Sequence, residues 1–107
     1  MKLPVKNISV ARDFSKYPGG RFYTDGPWSG EQFRKEILEP ALDDAETLVV
    51  DLNGTKGYGS SFLDEAFGGL VRLNKVSAGD LAKRIQFISA DESYIEEIRE
   101  YMSGAYA

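Results

Sequence analysis

Two adjacent hydroxyls, Ser60 and Ser61, lie between a glycine-broken loop and an apolar helical stripe, and no other residues in the chain combine as much chemistry. The run Leu48-Val49-Val50-Asp51-Leu52 reads as a buried strand, and Asn53 to Gly59 as a loop interrupted by Gly54, Gly57 and Gly59. The paired serines then open a helix. A helix mouth presents backbone N–H groups without intrahelical partners at the positive end of the macrodipole. Such an edge suits anion contact, phosphorylation or docking of a partner. The plainer alternative is capping, in which one serine oxygen accepts an N2 or N3 amide and stabilises the helix by about 1 kcal/mol. In the functional reading Ser61 caps and Ser60 stays exposed. A phosphate on Ser60 adds roughly −1.5 to −2 charge beside a dipole that tolerates it, so its cost falls on whatever surface docks there.

Other chemistries are narrower. Gly54 to Gly59 has phosphate-loop spacing, but Ser60 stands where Lys is required, which disfavours nucleotide hydrolysis. A backbone nest holding a small anion is the alternative that survives, either as a sensor of that anion or of a nucleotide. Asp51, Asp64 and Glu65 are the carboxylates nearest the loop, yet no second motif joins them into a Mg²⁺ site. Histidine and cysteine are both absent, which removes imidazole-based triads, thiolate nucleophiles, disulfides and His- or Cys-ligated zinc. The reading is therefore non-enzymatic, with no cofactor and no metal.

At 107 residues the chain fits one domain, spanning 1–107. A domain of this size buries roughly 65% of its unfolded surface and folds without a staple. The net charge of −4 argues against nucleic acid as partner. No apolar run reaches membrane-spanning length and no leader opens the chain, so a cytoplasmic location is expected. Charge is uneven. Residues 1–28 lean basic through Lys2, Lys6, Arg12, Lys16 and Arg21, and Glu31 to Asp51 is acidic.

The elements that must position the serines follow from periodicity. Val5 to Val10 alternates as a strand, Thr47 to Leu52 is an interior strand, and Ile85 to Ser89 is another. Arg21 to Thr24 is expected as a strand of a hairpin turned by Pro18-Gly19-Gly20, with Tyr17, Phe22, Tyr23 and Trp28 crowded around it. Those rings either cover one end of the core or face a partner. Ser29-Gly30-Glu31-Gln32 has the form of a capping box opening a first helix, which Pro40 should kink or end near Leu38 or Glu39. Phe62 to Leu73 is a helix with a Leu63, Ala66, Phe67, Leu70 stripe. Asn74 to Arg84 reads as a polar crossover turning at Gly79, and Asp91 to Met102 as a last helix. Gly68-Gly69 inside the third-quarter helix costs about 1 kcal/mol per glycine, which close packing or a partner groove must offset. Asp64, Glu65 and Arg72 are expected on the solvated side of that helix, next to the serine loop. Strand–helix alternation in the second half implies parallel pairing.

From Val50-Asp51-Leu52 through Gly57-Tyr58-Gly59-Ser60-Ser61-Phe62-Leu63-Asp64-Glu65-Ala66-Phe67-Gly68, with Ser29-Gly30-Glu31-Gln32-Phe33-Arg34 upstream, the chain resembles the bacterial STAS-like domains of unassigned function. These are related to the anti-sigma-factor-antagonist STAS domains. The resemblance implies an α/β fold, a small mixed β-sheet with α-helices packed mainly on one face. It also implies a role in signal transduction: docking on a histidine-kinase-like ATPase, with Ser60 matching the phosphoacceptor and Ser61 its neighbour. Gly57, Tyr58, Gly59, Phe62, Asp64, Glu65, Gly68 and Arg72 would form the partner footprint. Antagonists carry Asp before the acceptor and Gly after the pair; this chain has Gly59 and Phe62 there.

Overall fold

Aliphatic and β-branched runs at three places form β1 (Val5–Ser9), β2 (Thr47–Asp51) and β3 (Ile85–Ile88), all parallel, in the order β1-β2-β3. The computed structural model describes residues 4–104. Between the strands lie α1 (Val10–Asp13), α2 (30–44), α3 (60–72) and α4 (Ala78–Arg84), and α5 (Glu92–Met102) follows β3. Each crossover steps to the next strand in the same direction. With right-handed connections that order puts the helices on one face. Alternation along the strands agrees, because Ile8, Leu48, Val50 and Ile85 are buried whereas Val5, Asn7, Gln86 and Ile88 are exposed. The α/β class with one-sided helices is thus the observed architecture.

The core between sheet and helices is built from Ile8, Val10, Leu48 and Val50 below and Phe33, Leu38, Phe62, Leu63, Ala66, Phe67 and Leu70 above. The expected stripe of α3 is fully buried. At roughly 25 cal/mol per Å² of apolar surface, such side chains contribute about 1.5–3 kcal/mol each. Among the described residues no helix is long and apolar enough to cross a membrane.

Four expectations need correction. Residues 21–24 are not a strand, so the described sheet is wholly parallel. Asp25 accepts the amides of Arg21 and Phe22, which folds Tyr23–Asp25 into a 3₁₀ turn. Second, α2 does not end before Pro40 but runs to Asp44. Its middle, Arg34–Leu38, is a π-turn in which the Glu39 amide reaches back to the Arg34 carbonyl, so the irregularity falls just ahead of the proline. Third, the stretch before β3 contains α4: Ser77 caps it by accepting the Asp80 amide, and Leu81 anchors it in the core. Fourth, the capping box at Ser29 is half as expected. Ser29 accepts the Gln32 amide at 3.1 Å, but the Gln32 side chain reaches the Trp28 amide instead of that of Ser29.

Candidate serine loop and the charged helix crossing

β2 ends at Asp51, whose carboxylate turns the chain by accepting the Asn53 amide at 2.9 Å. The loop then returns through Gly57, held at φ +122, a backbone conformation that disfavours any side chain. Its shape is fixed at three points. The Lys56 amide donates to the Lys16 carbonyl at 2.9 Å, the Gly57 amide to the Thr55 hydroxyl at 3.2 Å, and the Tyr58 hydroxyl to the Leu52 carbonyl at 2.7 Å. Tyr58 packs edge-on against Tyr94 of α5 and tilted against Phe62. Burial pushes its hydroxyl up to about 12, so it stays protonated as a structural tether.

Gly59 is the N-cap of α3, with extended backbone, and no side chain caps the first turn. Ser60 and Ser61 are the first two helical residues, and both are exposed. Neither serine is the cap, contrary to the simple capping alternative and to the division in which Ser61 caps. The Ser60 hydroxyl lies against Tyr101 of α5, whose own hydroxyl donates to Glu97 at 2.7 Å. That bond to Glu97, with burial, holds the Tyr101 hydroxyl above its ordinary value.

One turn further along, α3 also has a π-turn, Asp64–Gly68, and it faces the π-turn of α2. The charges there are internal. Arg34, 1% exposed, donates to the Glu65 carboxylate, to the Glu65 carbonyl at 3.0 Å and to Glu39 at 3.0 Å. Asp64 receives Arg21 at 2.8 Å from the loop between α1 and α2 and Arg72 at 2.7 Å from its own helix. Burial alone would raise the Asp64 carboxyl, but the hydrogen bonds from Arg21 and Arg72 outweigh it and hold it below the usual carboxylate range.

Three glycines make room for this lattice. A Cβ on Gly30 would lie 2.5 Å from the Phe62 carbonyl oxygen, so α2 and α3 touch backbone to backbone there. A Cβ on Gly69 would lie 2.7 Å from the Arg34 guanidinium, and one on Gly68 would lie 2.7 Å from the Asp64 carboxylate and 3.2 Å from Tyr101. Close internal packing, not a partner groove, therefore explains the Gly68-Gly69 pair.

The expected footprint divides accordingly. Gly59, Ser60 and Ser61 are exposed, and Gly57, Tyr58, Asp64 and Arg72 are half-buried. Phe62, Glu65 and Gly68 are buried, and so cannot touch a partner: Phe62 fills the core, Glu65 meets Arg34, and Gly68 backs on Tyr101. The expected solvated face of Asp64, Glu65 and Arg72 is this ion lattice. Asp64 and Glu65 commit their oxygens to arginines, and among the described residues no group of three or more acidic side chains could hold a metal ion. Sequence reasoning missed Arg21, Arg34 and Gly30. The available signal was the pair of glycines at 68–69, whose helix cost required a bulky neighbour.

A family model described as a STAS-like domain of unknown function matches residues 29–94, from the cap of α2 into α5. Neither the curated proteins nor the solved structures yield a match.

Proposed function

The chain belongs to the STAS-like family of unknown function, and from that premise we propose that it is a non-enzymatic regulatory module that binds a protein partner through the serine loop. The partner class the resemblance implies is a histidine-kinase-like ATPase of the bacterial cytoplasm, and Ser60 is the phosphoacceptor. One observation carries this reading: two hydroxyls stand exposed on the first turn of α3 while Gly59 takes the capping position. They are thus not committed to holding the helix end.

The surroundings support a switch. A phosphate on Ser60 would meet the uncapped amides of the first turn, where the helix dipole favours negative charge. Asp64, one turn along α3, is already compensated by Arg21 and Arg72, and Glu97 of α5 accepts the Tyr101 hydroxyl. The modified domain therefore stays folded, and the added charge acts on the docked partner. Gly57, Gly59, Ser60 and Ser61 form the contact, with Asp64 and Arg72 at its border.

The test mixes the domain with a histidine-kinase-like ATPase of the same host and ATP. Phosphate should appear on Ser60, vanish in Ser60→Ala and persist in Ser61→Ala. An ATPase that binds nucleotide yet neither binds nor modifies the domain would reject the assignment.

A further inference from the structure

Among the described residues, four of the seven exposed large hydrophobic side chains, Tyr17, Phe22, Tyr23 and Trp28, come from the single loop between α1 and α2. The Gly19–Trp28 backbone bond brings the stretches carrying Tyr17 and Trp28 to one place, and large rings exposed at one place suit recognition. This loop is rigid where it matters. The Gly19 amide donates to the Trp28 carbonyl, the Gly30 amide to the Gly20 carbonyl and the Glu31 amide to the Arg21 carbonyl, all within 3.0 Å. Arg21 then fastens the loop to Asp64 of α3.

Trp28 is held against its backbone preference. Its φ is +68, a region costing a bulky L-residue roughly 1–2 kcal/mol. The Gln32 side chain holds its amide, and Phe14 meets its ring edge-on at 5.5 Å. Despite that contact the indole remains 40% exposed, and Tyr17 is 64% exposed. The fold makes little use of Tyr17.

Charge divides the rings: Asp25, Glu31 and Glu36 bond the Phe22 and Tyr23 end, whereas cations border Tyr17. Lys16 adjoins Tyr17 and is bonded through its carbonyl to the amide of Lys56, so two lysines meet at this end of the loop. Both are exposed, and neither pairs with a carboxylate among the described residues. The two cations are set in a chain of net −4. Two phosphate contacts on an acidic domain are too few for nucleic acid.

We infer that the Tyr17–Trp28 face, with Lys16 and Lys56, is a docking surface for an acidic protein segment, one carrying aliphatic side chains flanked by carboxylates. Rings supply the apolar anchors and the lysines select the sign of the flanking charge. This surface adjoins the serine loop at Lys56, beside Gly57, but no part of it uses Ser60.

A random peptide library displayed on phage and selected on the whole domain tests it. Enriched peptides should carry Asp or Glu around aliphatic residues. Their synthetic forms should bind Tyr17→Ala about tenfold more weakly, as expected of an anchor, and Lys16→Glu/Lys56→Glu more weakly still. Tyr17→Ala should unfold at the wild-type temperature, and Ser60→Asp should bind the peptides as wild type does. No enrichment, or peptides bound equally by Tyr17→Ala, would overturn the inference. So would binding of oligothymidine, or of equimolar phosphatidylcholine–phosphatidylserine vesicles, in place of acidic peptides. Loss of binding in Ser60→Asp would overturn the placement of Ser60 outside this surface.

Discussion

Gly69→Ala tests the charged crossing most directly, because two effects of opposite sign meet at one Cβ. Helix propensity favours the change by about 1 kcal/mol, since Gly69 lies in a helix interior with ordinary helical φ and ψ. Against it stands Arg34. The new methyl would lie 2.7 Å from Nη1, 3.2 Å from Cδ and 3.4 Å from Cζ. A surface arginine would swing aside. This one is buried and bonded to Glu39, to the Glu65 carbonyl and to the Glu65 carboxylate, so moving it leaves Glu65, 8% exposed, only the longer contacts of Arg21 at 3.4 Å and Arg72 at 3.7 Å. Breaking a buried ion pair from one side costs about 3–5 kcal/mol. The cost wins, and the net destabilisation is about 2–4 kcal/mol. That is a large part of the roughly 5–15 kcal/mol that holds a domain folded. Urea unfolding followed by tyrosine and tryptophan fluorescence should show the midpoint fall by about 1–3 M. The same substitution in an Arg34→Met/Glu65→Met background should lose its cost and return up to about 1 kcal/mol of stability, because the guanidinium is gone. A wild-type Gly69→Ala that is stabilised, or an equal loss in both backgrounds, would show that something other than Arg34 fills the space.

Two further outcomes follow from the loop. Ser60→Ala and Ser61→Ala should each change stability by less than about 0.5 kcal/mol, as at exposed positions that cap nothing, whereas Ser29→Ala should cost about 1 kcal/mol or more because Ser29 is a true buried cap. Equal losses at all three serines in urea melts would contradict the capping assignment. Tyr58 has its hydroxyl pKa raised by burial to about 12 from an ordinary 10, so its contribution is complete below pH 10 and is lost as pH rises toward 12. Tyr58→Phe should be less stable than wild type at pH 8 by about 1 kcal/mol for the lost bond to Leu52, yet flatter across pH 10–12; parallel alkaline limbs in urea titrations would refute the tether.

What was legible in the chain was whatever local pattern controls. Alternation located β1, β-rich runs located β2 and β3, and the Leu63, Ala66, Phe67, Leu70 stripe located α3, because burial on one side of a helix writes itself into every third and fourth residue. Nonlocal polar contacts decided the rest. Arg21 to Thr24 has strand-forming residues, but Asp25 captures two amides and overrides them. The stretch 74–84 looked polar because only Leu81 of α4 is buried, which is too sparse a signal for a period. Nothing in the local pattern marks Arg34 as buried. Its burial depends on Glu65, thirty-one positions away, and on a glycine at 69, and no window around residue 34 contains either. The serine pair was legible as a helix mouth, but its freedom from capping depends on Gly59 taking the extended cap position.

The charged crossing and the serine loop form one mechanical unit. A helix rotates by about 100° per residue, so a slip of one position in α3 would carry Ser61 into the buried place of Phe62 or, in the other direction, Phe62 into the exposed place of Ser61. Apolar packing alone tolerates such slips, since Leu, Phe and Ala replace one another with modest loss. Arg34 does not tolerate them. Its bonds to the backbone carbonyl and the carboxylate of the same residue, Glu65, are satisfied in one rotation only, and the Gly30–Phe62 backbone contact sets the height. A buried ion pair contributes little net stability over an apolar substitute. Here it fixes which residues face outward. Replacing Arg34 and Glu65 together by methionine should therefore leave the domain about as stable but disorder the serine turn, seen as faster amide exchange at Ser61 and Phe62. Unchanged exchange there would mean that Phe62 and Leu63 suffice to hold the loop in place.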